Sequence, residues 1–141
     1  MEYYNKCIKF IQDNKLQDNV TLRGKLDHDK LQQEYAECSV FTFPSIEESQ
    51  GIVLLEAMAA GKPIVTVNRS AMPYLIEDGF TGYLVEYQDY NSMSRRIVDL
   101  IEDKSLRDEM RSNGIRNATL YSMSNIAQSY LKAYESIIMR A

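Results

Sequence analysis

Apolar positions along this chain alternate between a helical and a strand period. Tyr3, Cys7, Phe10 and Ile11 recur three and four apart, which predicts an amphipathic helix from about Glu2 to Asn14. Val20-Thr21-Leu22 reads as a short strand. Asp27 is a suitable N-cap for a helix running to about Glu37, with Leu31 and Tyr35 one turn apart on its inner face. Ser39 to Phe43 predicts a second strand, and a Pro44-Ser45 turn leads to a helix from about Ser49 to Ala60. Gly61 closes that helix, since glycine takes the left-handed conformation at such an end. Pro63-Ile64-Val65-Thr66-Val67 is β-branched and apolar almost throughout, as a parallel strand covered on both faces should be.

Met72 to Ile76 suggests a short helix, and the glycine-rich turn from Glu77 to Gly82 leads into a strand at Tyr83-Leu84-Val85. Helices follow near Asn91–Glu102 and Ser105–Asn117, with Leu100, Ile101, Leu106 and Met110 as inward candidates. A last helix, about Ser124 to Arg140, carries Ile126, Tyr130, Tyr134, Ile137 and Ile138 at spacings of three and four. Strands alternating with helices imply an α/β fold with an open parallel sheet of about four strands.

Composition narrows the function classes. A chain of 141 residues, 45% hydrophobic, fits one globular domain with a substantial core. A net charge of -4, with Lys and Arg scattered, gives no basic field, so nucleic-acid binding is not expected. The sequence has neither a long apolar span nor a signal-peptide pattern and reads as soluble and cytoplasmic. Cys7 and Cys38 form no CxxC pair and read as buried or partly buried thiols. His28, beside the cap Asp27, reads as a solvated first-turn residue. The tyrosines read as packing residues or partly exposed ones rather than a base-stacking platform.

Candidate chemistry concentrates between Pro44 and Gly61. A helix starting after a strand places its N-terminus at the carboxyl edge of the sheet, where open α/β folds bind ligands. Free N–H groups and the positive dipole end favour an anion at Ser49, Gln50, Gly51 and Ile52, and Gly51 has no side chain to hold a phosphate off the backbone. Glu48, just before the helix, would accept hydrogen bonds from sugar hydroxyls at the same mouth. Glu56 lies about 12 Å further along the axis at roughly 1.5 Å per residue, among apolar neighbours, where a ribose diol would be a suitable donor pair. Spacing alone leaves two plainer readings open: Glu47 and Glu48 serve only the helix dipole, and Glu56 only meets solvent.

The string PSIEESQGIVLLEAMAAGKPIVTV, followed by DGFTGYLV, closely resembles the glutamate-x7-glutamate signature of retaining glycosyltransferases of GT-B family four, usually PSxxEGFGxxxLEAMAxGxPVVA. The resemblance extends in outline from Asn19-Val20-Thr21-Leu22-Arg23-Gly24 to the helices near Tyr121 and covers the nucleotide-sugar-binding half of such enzymes. It implies the C-terminal, Rossmann-like half of a GT-B fold over residues 1–141, a nucleoside-diphosphate sugar as donor substrate, and no metal. Glu48 resembles the residue that holds donor-sugar hydroxyls beside the anomeric carbon, and Glu56 the one that binds the ribose. Backbone N–H groups of Gly51, Ile52 and Val53 match those that hold the distal phosphate, and Arg23, Gly24 and Lys25 match a loop near the base. Retention in this family is viewed as front-face attack, so Glu48 is not read as a nucleophile.

Departures from the pattern carry expectations of their own. Ser49-Gln50 replaces the usual Gly-Phe, a variant resembling some glycolipid-forming members, which suggests a lipid acceptor and peripheral membrane association of the parent protein. Asn68 to Tyr74 replaces a "GGxPE" loop, with Tyr74 where glutamate is common. Against the family, the chain lacks the N-terminal acceptor domain and two initial strands bearing an Arg and a Lys. The expectation is therefore a four-strand sheet in which the strands at Val20 and Ser39 close the gap, with incompletely covered edges that favour homo-association. The function expected is the donor-binding part of a retaining transferase that moves a hexose to a glycan or lipid, inactive as an isolated piece. The rivals are a non-catalytic nucleotide-sugar-binding or interaction module, and a GT-B epimerase or phosphorylase. For the latter, the best-placed lysine, Lys62, is already explained by the helix-to-strand turn.

Overall fold

The computed structural model describes residues 2–139. Contacts divide the chain into two units, Met1–Gln32 and Gln33–Ala141. The first holds α1 (Glu2–Asp13) and the start of α2 (His28–Glu37). Asp27 caps α2 as expected, its carboxylate accepting from the Lys30 N–H at 2.9 Å. His28 is exposed, its ring 3.0 Å from the Gln32 amide. No residue of α1 is buried. Its apolar face lines a groove of about 480 Å³ with Leu16, Val20 and Leu22.

The expected strand at Val20-Thr21-Leu22 does not form, and residues 20–24 are irregular. A strand exists only by exchanging backbone hydrogen bonds with a neighbour, and among the described residues none forms a ladder with this segment. The sheet accordingly has three strands rather than four, and the segment at Val20 does not pair with the strand after Ser39.

That sheet belongs to the second unit. It consists of β1 (Phe41–Phe43), β2 (Ile64–Val67) and β3 (Gly82–Val85), all parallel and in the order β1-β2-β3. All four residues of β2 are buried, as the β-branched run predicts, with α3 (Ile52–Ala59) and α5 (Tyr90–Glu102) both packed against it. Thr66, the one polar residue of the strand, is satisfied by donating to the Phe43 carbonyl at 2.6 Å. α4 (Met72–Leu75) connects β2 to β3. α6 (Lys104–Leu120) packs on α3, and α7 (Met123–Ile138) follows.

Side-chain caps explain three helix starts. Asp89 accepts from the Ser92 N–H, Asp103 from that of Leu106, and Ser122 from that of Asn125. α3 ends as expected, with Gly61 left-handed at φ 70°. It begins three residues later than expected, at Ile52, because Gly51 is itself left-handed at φ 69° and residues 49–51 cannot continue a helix backwards.

The core joins Leu54, Ala57 and Met58 of α3 to the sheet, to Met72 and Leu75 of α4, and to Leu100 and Met110. Asn117 of α6 ties three helices together, its amide 3.8 Å from the Met58 sulfur and donating to the Leu75 carbonyl at 2.8 Å. Ile101, expected inside, is exposed because α5 turns Leu100 to the core instead. Of the ten tyrosines Tyr35 is buried and Tyr83 half-buried, and the others are exposed. The apolar series on α7 is wholly exposed; its predicted last residue, Arg140, lies outside the described residues. Both cysteines are free and half-buried.

Met58→Ala should destabilise the second unit by about 2–5 kcal/mol, since the cavity lies between packed helices. Ile138→Ala, on the exposed face of α7, should stay within about 0.5 kcal/mol of the parent. Urea denaturation of both variants checks the contrast, and a Met58 variant as stable as the parent would contradict the α3–α6 packing.

Candidate functional site

β1 ends at Phe43 and β2 at Val67, so the loops 44–51 and 68–71 emerge side by side from the carboxyl edge of the sheet. One serine joins them. The Glu48 N–H donates to Ser70 Oγ at 3.1 Å, and the Ser70 hydroxyl donates to the Glu48 carbonyl at 2.5 Å. The Ala71 N–H reaches the same carbonyl at 3.3 Å. Ser70 takes a positive φ of 55°, unusual for a residue with a side chain, and this conformation accompanies the double bond to Glu48.

With its backbone held this way, Glu48 folds its carboxylate over the following turn, where Oε1 accepts from the Gln50 N–H at 3.2 Å. The backbone N–H groups of Gly51 and then of Gln50, with a smaller contribution from Ser49, hold the Glu48 carboxyl below its ordinary pKa against a small opposing effect of burial. It is thus a settled carboxylate, able only to accept hydrogen bonds. Ser49 and Gln50 are exposed on the turn.

Gly51 is the N-cap of α3 and gives that helix no side-chain cap. Its own carbonyl accepts from the N–H groups of Leu54 and Leu55. Glycine is required here for two reasons: the left-handed backbone, and the Leu75 Cδ1 that a Cβ would approach to 2.6 Å. Ile52, the first helical residue, is 55% exposed and Val53 is half-buried, so the uncapped amide end of α3 opens beside Glu48.

Glu56 is the fifth residue of α3, and Glu48 lies in the loop before it, so the two are not spaced along one helix axis as the sequence suggested. Glu56 is exposed rather than enclosed by its apolar neighbours. Its carboxylate is nevertheless engaged: the Tyr35 hydroxyl donates to Oε2 at 3.1 Å. Burial, then the charge of Glu56 and the hydrogen bond to it, push the Tyr35 hydroxyl from 10.0 up to about 12.

The structure therefore gathers Glu48, Ser49, Gln50, Gly51, Ile52 and Val53 around one helix start, with Glu56 on the next turn. Arg23 and Gly24 belong to the other unit. Sequence reasoning missed Ser70 and the hydroxyl of Tyr35. Ser70 left a signal, as a polar residue standing where the resembled pattern has glycine. Tyr35 left only its place on an inner face, since its partner depends on α2 lying beside α3. Arg69, in the same loop as Ser70, places its guanidinium 5.2 Å from the centre of the Tyr87 ring. Lys62 donates to the Ala36 carbonyl at 2.8 Å and is occupied at the end of α2. Among the described residues no group of three or more His, Cys, Asp or Glu side chains gathers as metal ligands would, and no helix is long and apolar enough to cross a membrane.

The sequence matches the family model described as glycosyl transferases group 1 over residues 2–117. The D-inositol 3-phosphate glycosyltransferase of Paenarthrobacter aurescens is 31% identical over 129 residues, covering 92% of this chain and 32% of that protein. Anabaena HepE, solved in complex with UDP-glucose, superposes with a TM-score of 0.85 at 25% identity, over 96% of this chain and 37% of its own. The C-terminal domain of a group 1 glycosyltransferase from Francisella tularensis shares the fold with a TM-score of 0.79 at 24% identity, over 87% of this chain and 64% of that one. The chain spans 38% and 32% of the length of the first curated relatives it matches.

Two predictions follow from the geometry. Ser70→Ala should lower stability by about 1 kcal/mol and speed hydrogen exchange at the Glu48 amide, read by NMR; unchanged exchange would mean that Ser70 does not hold the loop. The second concerns alkaline pH. A phenol whose pKa is raised by folding adds stability in full below its unfolded value, and loses it as pH rises through the folded one. Stability should therefore fall between about pH 10 and 12, and Tyr35→Phe should flatten that fall in denaturation curves.

Proposed function

This chain belongs to the glycosyl transferases group 1 family and has the fold of its C-terminal domain, and we propose that it is the donor-binding part of a retaining hexosyltransferase. The donor is a nucleoside-diphosphate hexose. The observation that carries this reading is the joint placement of the Glu48 carboxylate and the uncapped start of α3 at the carboxyl edge of the sheet.

Each part has a chemical task. The diphosphate lies at the amide end of α3, where the N–H groups of Gly51, Ile52 and Val53 and the helix dipole take up negative charge as the leaving group departs. Ser49 and Gln50 border that anion. Glu48, held as a carboxylate by backbone N–H groups, accepts hydrogen bonds from hexose hydroxyls and orients the anomeric carbon. It acts by positioning, and attack comes from the acceptor on the same face as the departing diphosphate. Glu56 takes the ribose hydroxyls. HepE, solved with UDP-glucose, supports this class of donor.

The acceptor, a glycan or lipid, and the surface that binds it are assigned to a further N-terminal domain of the full-length gene product, with residues 1–141 as the nucleotide-sugar domain. No metal enters the scheme, in which the amide end of α3 takes up the charge of the leaving group.

Full-length protein should be stabilised by its donor in a thermal-shift screen of UDP-, GDP- and ADP-hexoses, by about 2.7 kcal/mol at roughly a hundred times Kd. Glu48→Ala and Glu56→Ala should each reduce transfer on the order of a hundredfold, as lost positioning does, with little change in melting temperature. Wild-type turnover in both variants would sink the assignment.

A further inference from the structure

Glu56 combines two properties that rarely coincide. It is exposed, hence able to meet a ligand, yet one carboxylate oxygen is already taken by a buried partner. An exposed glutamate on a helix ordinarily samples many rotamers, and a ligand that uses it must pay for ordering them. The partner here is rigid. Tyr35 is only 7% exposed, and its ring lies tilted against Phe41 with centroids 5.5 Å apart. Phe41 in turn stacks on Phe43 at 6.4 Å. The hydroxyl is therefore delivered from α2 to α3 by a ring with little freedom, and its raised pKa keeps it a donor at every physiological pH.

We propose that Tyr35 is a positioning residue of the donor site: its hydroxyl holds Oε2 of Glu56 so that Oε1 faces the ribose diol, and it thereby sets the preference for ribonucleotides over deoxyribonucleotides. This rests on the assignment of Glu56 to the ribose made above. Tyr35 need not touch the nucleotide. A bond from a neutral hydroxyl to a carboxylate is charge-assisted and directional, so it fixes the side chain without consuming the second oxygen. A lysine or arginine in its place would fix Glu56 as well, but would also neutralise the charge that makes it a good acceptor for ribose hydroxyls.

The test compares binding of UDP, GDP and ADP with that of their 2′,3′-dideoxy counterparts by calorimetry on the full-length protein, using whichever diphosphate binds. Wild type should prefer the ribo form, and Glu56→Gln should largely lose that preference. Tyr35→Phe keeps the ring against Phe41 and should still fold, with the melting temperature lowered by no more than the loss of one hydrogen bond. It should weaken ribonucleotide binding roughly threefold to tenfold, the cost of ordering one long side chain, while leaving dideoxynucleotide binding unchanged. The ratio of the two affinities is the decisive quantity, because a merely structural tyrosine would move both together. Equal weakening of both ligands, no weakening, or a higher ratio in Tyr35→Phe, with Glu56→Gln still losing its preference, would overturn the role of Tyr35 and leave the donor site standing. A preference that survives in Glu56→Gln would overturn the ribose assignment and the proposal with it. Failure of all three diphosphates to bind would remove the donor site itself.

Discussion

Burial of β2 from both faces is the constraint on which the second unit depends. A parallel strand offers no polar face, so Ile64, Val65 and Val67 require cover from helices on either side, and α3 and α5 supply it. Because α3 arises from the loop after β1, covering β2 also fixes where that helix begins. Its uncapped amide end is thus brought to the carboxyl edge of the sheet by the same packing that buries Leu54 and Met58. Core and site are one arrangement seen from two ends, which is why Gly51 answers to both. Its left-handed backbone starts α3, and its missing Cβ admits Leu75 of α4.

Much of that was legible in the chain. The β-branched run at Ile64–Val67 announced a doubly covered strand, Gly61 marked the end of α3, and Asp27 capped α2 as its type suggests. The pair of glutamates and the glycine between them marked the candidate site by pattern. What was not legible depended on neighbours distant in sequence. Val20-Thr21-Leu22 has the composition of a strand, but composition supplies no ladder partner, and the segment remains irregular. Ile101 and Leu100 are equally apolar, and only the rotation of α5 against β2 and β3 separates them. The start of α3 was misplaced because a run favourable to helix was weighed without the left-handed turn at Gly51.

Each of the two glutamates makes a contact that its plainer reading does not call on. Beyond lying near the amide end of α3, where it can serve the helix dipole, Glu48 binds the Gln50 N–H and is fixed in the backbone by Ser70. Glu56, though exposed, is more than a solvated residue on an outer face, since it accepts from the hydroxyl of the buried Tyr35. Exposure alone does not distinguish a binding carboxylate from an idle one, and the donors arranged around each are what support the reading proposed.

Those donors also separate the tasks assigned to the two residues. Glu48 is held by main-chain N–H groups in a loop whose shape depends on the junction of two strand ends, so its position follows the sheet. Glu56 is held by a side chain from another helix, so its position follows that of the Tyr35 ring against Phe41. Two carboxylates fixed by independent supports keep their mutual geometry only while both supports hold. A ligand that bridges them would favour the arrangement in which both are in place and would couple the sheet edge to α2. Donor binding, on the reading proposed, would then tighten a junction rather than fill a rigid slot. The free energy of that tightening would come from the ligand's bonds to the two carboxylates, against the entropy lost where the supports are drawn together.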